Sequence, residues 1–300
     1  LIYLPKSKYT QKGEIIMNIK NVTVFGAGQM GRQMAVNFAI HGYRVIITDK
    51  IPTALDSAKV WIDKYLDERV KKGKLSDKQV SEIRQRLIIQ SDAYIAAKDA
   101  DLIVEAIIEQ EEDKCELFAY LDKICPVQTI LTSNSSFIPS SIMAEHVKRK
   151  DKTANLHFFN PALVMKLVEV VKNPWTSEQT IRTLMDFAVS CDKTPIFIKK
   201  EIDGFVANRI IAKISSEALY LVENDYVAPE DVDTAVENGL NHPMGPFRLM
   251  DLVGIDISYL SRARKYKKTK DPQDKPPAFL EEKYKTGEFG RKTGKGWYTY

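Results

Sequence analysis

Val22-Thr23-Val24-Phe25-Gly26-Ala27-Gly28-Gln29-Met30-Gly31 decides how the first half of this 300-residue chain reads. A short β-rich run passes directly into three spaced glycines, and a helical pattern follows. GxGxxG at a strand-to-helix junction has a mechanical meaning. Gly26 permits the tight turn, Gly28 lets the backbone approach a pyrophosphate, and Gly31 lets the helix pack close to the sheet. Gln29 and Met30 open the helix whose N-terminal amides would hold that anion. Asp49 lies 23 residues beyond Gly26, at the end of the next strand-like run. A carboxylate there accepts hydrogen bonds from ribose hydroxyls and repels a 2′-phosphate, so the expected cofactor is NAD rather than NADP. Lys50 beside it offsets part of that charge. The plainer reading makes the glycines structural and Asp49 a turn cap; it leaves their joint placement unexplained.

The pattern continues outward from this motif. Apolar runs at Val45–Thr48, Leu87–Ile89, Leu102–Ile107, Thr129–Leu131, Ala154–Phe158, Leu167–Val171 and Pro195–Ile198 alternate with helical stretches. Near-continuous apolar strands separated by helices mean a mostly parallel sheet covered on both faces. Pro52–Arg86 is too long for a simple connection, and its helical pattern breaks at Lys71-Lys72-Gly73-Lys74, so a helical hairpin is expected there. After Gly204 the strand signal ends. Phe205–Asn224, Pro229–Gly239 and Phe247–Leu260 read as helices, and Arg262–Lys270 as a solvated helix end. The expected fold is α/β: a Rossmann-type doubly wound sheet with the inserted hairpin over 17–201, then an all-α domain over 202–300. Residues 1–16 show no usable periodicity and read as a loose extension.

Composition narrows the function classes. Hydrophobic residues make up 44% and charged residues 28%, the balance of a globular domain pair. Lys plus Arg (44) exceed Asp plus Glu (40) by only four, so no nucleic-acid partner is expected. The apolar stretches are far too short for a membrane span, so no membrane partner is expected either. Cys115, Cys125 and Cys191 lack CxxC or Cys/His spacing. They read as reduced thiols of a cytoplasmic protein, with neither a metal site nor a disulfide framework.

A nicotinamide enzyme that oxidises an alcohol needs a base for the hydroxyl proton. Of four histidines, His41, His146 and His242 lie in turn-like or polar segments, whereas His157 ends an apolar strand and precedes Phe158-Phe159-Asn160-Pro161. Doubly wound folds bind ligands at that rim. Glu169 stands alone in the apolar run Leu167-Val168-Glu169-Val170-Val171. A carboxylate there needs a partner, and His157 would satisfy it while gaining a fixed tautomer. Ser133-Asn134-Ser135-Ser136 follows another strand, and Asn208-Arg209 lies early in the first helix of the second domain. Each has a bland alternative, a capping loop and inter-domain hydrogen bonding.

These segments, with Val104-Glu105-Ala106-Ile107, Lys166-Leu167-Val168-Glu169-Val170 and Gly204-Phe205-Val206-Ala207-Asn208-Arg209, resemble the L-3-hydroxyacyl-CoA dehydrogenase family. His242-Pro243-Met244-Gly245-Pro246 and Gly290-Arg291-Lys292-Thr293-Gly294-Lys295-Gly296 extend the likeness almost to the C-terminus. The resemblance implies NAD-dependent oxidation of an L-3-hydroxyacyl-CoA, such as 3-hydroxybutyryl-CoA, in fatty-acid or butyrate metabolism. It implies that His157 is the base and Glu169 its partner. By the same likeness Ser136 contacts the substrate oxygen, Asn208 polarises the reacting group, and Glu109 and Lys114 lie close to the cofactor. The hairpin would receive the CoA portion through Lys72, with Glu68 standing where a second lysine often occurs. Residues 63–86 carry eight Lys/Arg against five Asp/Glu, which suits CoA phosphates. Gln33 and Phe137 replace small or hydroxyl residues of the family pattern. A homodimer through the C-terminal domain is also implied. Three alternatives stay open: a dehydrogenase of a small non-CoA 3-hydroxy acid or carnitine, a non-catalytic NAD-binding protein, and a β-hydroxyacid dehydrogenase with a catalytic lysine.

Overall fold

The computed structural model describes residues 18–300, so the extension expected over 1–16 lies outside the described residues. The chain separates into two compact units that meet in sequence at Val206 and Ala207. In the first unit β1 (Asn21–Phe25), α1 (Gln29–Ile40), β2 (Arg44–Thr48), α2 (Pro52–Lys71), α3 (Asp77–Arg86) and β3 (Leu87–Ile89) come first. Next come α4 (Ala93–Ala97), β4 (Leu102–Glu105), α5 (Glu111–Ile124), β5 (Ile130–Ser133) and α6 (Ser140–Ala144). They are followed by β6 (Thr153–Phe158), β7 (Leu167–Val171), α7 (Glu178–Ser190) and β8 (Thr194–Ile198). All eight expected runs form strands, with the fifth displaced toward Ser133.

Among the described residues these strands make one sheet in the order β3-β2-β1-β4-β5-β6-β7-β8. Helical crossovers keep β1 to β6 parallel, while the short loop between β6 and β7 reverses the chain and makes that pair antiparallel. Order reversal beside β1 creates the crevice where doubly wound sheets bind dinucleotides. The sheet is apolar on both faces because helices cover both. Leu102 and Val104 point into a core shared with α1, α2, α3 and α7, while Ile103 points into one shared with α4, α5 and α6. Pro195 is tolerated because β8 is an edge strand.

The expected hairpin is α2 and α3. Pro52 starts α2 with its fixed φ. Ser76 and Gln79 form a capping box that starts α3: Gln79 N donates to Ser76 Oγ (3.2 Å) and Ser76 N to Gln79 Oε1 (2.8 Å).

The second unit is helical: α8 (Ala207–Glu223), α9 (Pro229–Gly239), α10 (Pro246–Val253), α11 (Ile255–Thr269) and α12 (Ala278–Thr286). One expectation fails here. Phe247–Leu260 is two helices, broken at Gly254, whose φ of +118° lies outside the helical region and whose missing Cβ would sit 2.6 Å from Asp256 Oδ1. Two buried aspartates organise the unit. Asp233 on α9 accepts from Phe247 N (2.8 Å), Arg248 N (3.0 Å) and Tyr298 Oη (2.7 Å), capping α10. Asp251 accepts from Trp297 N (2.9 Å), Tyr298 N (3.0 Å) and Tyr300 Oη (3.1 Å), fastening the C-terminal tail. No helix among the described residues is long and apolar enough to cross a membrane.

Candidate active site

The strand ends of the first unit carry the polar residues of the site. Antiparallel pairing of β6 and β7 sets His157 directly opposite Glu169. Both are buried, and His157 Nδ1 lies 2.8 Å from Glu169 Oε2. An ionised carboxylate only accepts, so Nδ1 carries the proton and Nε2 presents its lone pair. Ser136 Oγ lies 2.8 Å from that Nε2, the geometry of a hydroxyl donating to it. The other carboxylate oxygen of Glu169 accepts from Val206 N at 3.0 Å. Rings of Phe159 and Phe205 flank the imidazole at centroid distances of 4.5 and 5.6 Å. The result is a base with one face tied and one nitrogen directed at a hydroxyl. It can take a proton from an alcohol placed beside Ser136, or return it to a carbonyl oxygen.

The glycine motif folds as its spacing requires. Gly26 has φ +107°, and a Cβ there would lie 2.3 Å from Ala106 O. A Cβ on Gly31 would lie 1.8 Å from Gly26 O, so the first turn of α1 rests on the loop itself. At Gly28 a Cβ would meet nothing within 4 Å. Space in front of the helix N-terminus is therefore open to a pyrophosphate, and these residues fit a bound dinucleotide. Gln29 is exposed and Met30 half-buried. Asp49, just past the end of β2, accepts from Ala27 N (2.7 Å) and Ile51 N (2.9 Å), which ties the glycine loop to this carboxylate. Gln29 Nε2 donates to Asn160 Oδ1 at 3.1 Å, linking the glycine loop to the segment that follows His157.

A second buried carboxylate was missed by sequence reasoning. Glu105 ends β4 with no exposure and accepts from Ile107 N (2.7 Å), Lys114 Nζ (2.5 Å) and Ser133 Oγ (2.5 Å). Burial pushes its carboxyl up, and the Lys114 ammonium beside it opposes that rise. Lys114 is itself buried and lies 3.3 Å from Glu109 Oε2, while Glu109 pairs with Ser135 Oγ. An unbroken polar chain thus runs from Glu105 to the serine loop. The signal for Glu105 was the same as for Glu169, a lone acid in an apolar strand. Asn155 was missed as well, as a lone amide within the apolar run Ala154–Phe158.

The remaining expected residues are carried by other elements. Lys72 is exposed at the C-terminal end of α2, and Glu68, one turn earlier, is half-buried. Asn208 lies in the first turn of α8, in the second unit. Cys115, Cys125 and Cys191 are buried free thiols; burial raises all three and pushes Cys125 and Cys191 up to about 12.

The chain is 37% identical to hydroxyacyl-coenzyme A dehydrogenase, mitochondrial, from Homo sapiens, with 94% of this chain and 91% of that one covered. It is 36% identical to a probable 3-hydroxybutyryl-CoA dehydrogenase of Bacillus subtilis, covering 95% and 98%. The crystal structure of FadB2 from M. tuberculosis superposes with a TM-score of 0.86 at 34% identity, covering 94% of this chain and 99% of that one. Residues 21–202 match the 3-hydroxyacyl-CoA dehydrogenase NAD binding domain and residues 204–300 the C-terminal domain of the same enzymes. The chain belongs to the 3-hydroxyacyl-CoA dehydrogenase family.

Proposed function

We propose that His157, Glu169, Ser136 and Asn208 carry the NAD-dependent interconversion of an L-3-hydroxyacyl-CoA and a 3-oxoacyl-CoA in this chain. The observation that carries this reading is the imidazole held between two fixed partners, Glu169 at Nδ1 and Ser136 at Nε2. His157 Nε2 takes the hydroxyl proton as the carbon–oxygen double bond forms. Bound NAD⁺ supplies the hydride acceptor. Ser136 and, by family likeness, Asn208 stabilise the charge that develops on the substrate oxygen. Glu169 stabilises the imidazolium that results, and in reverse His157 returns the proton. Gly26, Gly28, Gln29, Met30, Gly31 and Asp49 would hold the dinucleotide, with Glu109 and Lys114 beside it. Lys72 on the hairpin would meet the CoA phosphates, supported by the local excess of basic residues there.

Likeness to 3-hydroxybutyryl-CoA dehydrogenases favours β-oxidation-type fatty-acid or butyrate metabolism. A cytoplasmic setting suits the three buried free thiols. A homodimer through the second unit is supported by its exposed apolar side chains Leu252, Val253, Ile257 and Leu260.

The role of His157 is tested by His157→Gln. Because a positioned general base supplies about 10²–10⁴-fold in rate, turnover of acetoacetyl-CoA with NADH should fall by that factor. NADH binding, followed by its fluorescence, should be unchanged. A variant that keeps most of the wild-type kcat contradicts the assignment.

A further inference from the structure

Asn155 stands two residues before His157 on β6, so both side chains leave the strand on the same face. It has no exposed surface, in a strand whose neighbours at 154 and 156 belong to the apolar core. Its amide is spent on one segment. Oδ1 accepts from Ser140 N at 2.7 Å, while Nδ2 donates to Ile138 O at 3.1 Å and, more weakly, to Ser135 O at 3.4 Å. The turn Ser135–Ser140 is thereby gathered around a single buried side chain. Ser136 lies inside that turn, and the Ser135 carbonyl belongs to the peptide plane that carries the Ser136 amide. Fixing that plane restricts where the Ser136 side chain can point.

The anchor is itself braced. Ser140 Oγ bonds Asn173 Nδ2 (3.1 Å) and Glu201 Oε1 (3.2 Å), and Glu201 Oε1 also accepts from Ser141 N (2.9 Å). Asn173 Nδ2 reaches Thr153 O at 3.1 Å and Thr153 Oγ1 at 2.8 Å, at the start of the strand that carries His157. From within the turn, Ser135 Oγ accepts from Phe137 N (3.2 Å) and Ile138 N (2.7 Å). Ser136 and His157 are therefore referenced to one strand, β6: His157 directly and Ser136 through Asn155.

We propose that Asn155 is a positioning residue that sets Ser136 Oγ against His157 Nε2. This rests on the reading of Ser136 and His157 given under the proposed function. A small misplacement of a reacting group costs rate without costing cofactor binding, so Asn155 should act on kcat and leave NADH affinity alone.

The test is a double-mutant cycle on the full chain, with Asn155→Ala and Ser136→Ala singly and together. Acetoacetyl-CoA reduction by NADH gives kcat, and NADH fluorescence gives its Kd. Asn155→Ala is expected to lower kcat about 10-fold in the wild-type background and less than about 2-fold in the Ser136→Ala background, because coupled sites are non-additive. NADH Kd should stay within about 2-fold in every variant, since the dinucleotide residues are untouched. Where the alanine variant does not fold, Asn155→Asp takes its place. That side chain keeps an acceptor for Ser140 N and removes the donors to Ser135 and Ile138. An equal loss of kcat in both backgrounds, or no loss at all, overturns the proposal. If Ser136→Ala alone keeps full activity, the reading of Ser136 fails first and this proposal goes with it.

Discussion

A carboxylate shut away from water beside an imidazole has two effects on that base. It fixes which nitrogen holds the proton, and it lowers the energy of the imidazolium formed on proton uptake. Glu169 reaches His157 Nδ1 at 2.8 Å and has no exposed surface, so water supplies little of either effect. In Glu169→Gln the charge is lost and an NH₂ group can face Nδ1, which favours the wrong tautomer. Steady-state kinetics should show kcat reduced by at least about 10²-fold, by comparison with amide replacements in other His–carboxylate pairs. KM for NADH should hardly change. A loss smaller than about 3-fold would leave Glu169 a packing residue, outside the normal range for general-base support. Glu169 was legible in the sequence because an acid among valines needs a partner and a histidine lay on the neighbouring strand. Glu105 gave the same signal, yet its partners Lys114 and Ser133 sit on a helix and another strand whose placement only the fold fixes. Asn155 was illegible for a related reason, since backbone groups of a turn satisfy it.

At the scale of elements, the segment entering β6 is tied to the end of α5 by Arg149. Its Nε meets Asp122 Oδ1 at 2.7 Å and its Nη2 reaches the carbonyls of Asp122 (2.8 Å) and Cys125 (3.2 Å), while Nη1 bonds Pro126 O. Arg149 is buried and Asp122 nearly so, with side-chain exposures of 8% and 10%. Removing one partner of a buried pair leaves the other uncompensated, at about 3–5 kcal/mol, so Arg149→Met should be destabilised by roughly that amount in urea unfolding at pH 7. Burial works against the Asp122 carboxylate, but the amide of Lys148 and the Arg149 guanidinium outweigh it and hold the carboxyl below its usual range. A depressed pKa stabilises the fold above the unfolded value, about 4, and that contribution is lost as pH falls through the folded value. The difference between wild type and Arg149→Met should therefore narrow as the pH is lowered from 7 toward acid. A difference that widens in acid contradicts the pairing. Elements themselves were largely legible, because strand runs and the hairpin break are local patterns. The break at Gly254 was not, since an apolar helical period continues through it and the crowding by Asp256 and Lys292 that leaves no room for a Cβ there is set by the fold.

Over the whole molecule, β1, which leads into the glycine motif, lies between β2 and β4, where the strand order reverses. Net charge of +4 says little about the substrate, while the basic excess over residues 63–86 lies on the α2–α3 hairpin. Under the proposed function, that placement, and not the total, would favour a CoA ester over a small free acid. Remote binding energy from the CoA portion should be spent on turnover at the reacting carbon, so a truncated substrate loses kcat as well as affinity. The decisive measurement is NADH oxidation by the full chain with acetoacetyl-CoA, run beside free acetoacetate and beside NADPH. Acetoacetyl-CoA with NADH is expected to give a kcat/KM at least about 10²-fold above either alternative. Equal or faster turnover of the free acid, or a preference for NADPH, would contradict an NAD-dependent 3-hydroxyacyl-CoA dehydrogenase.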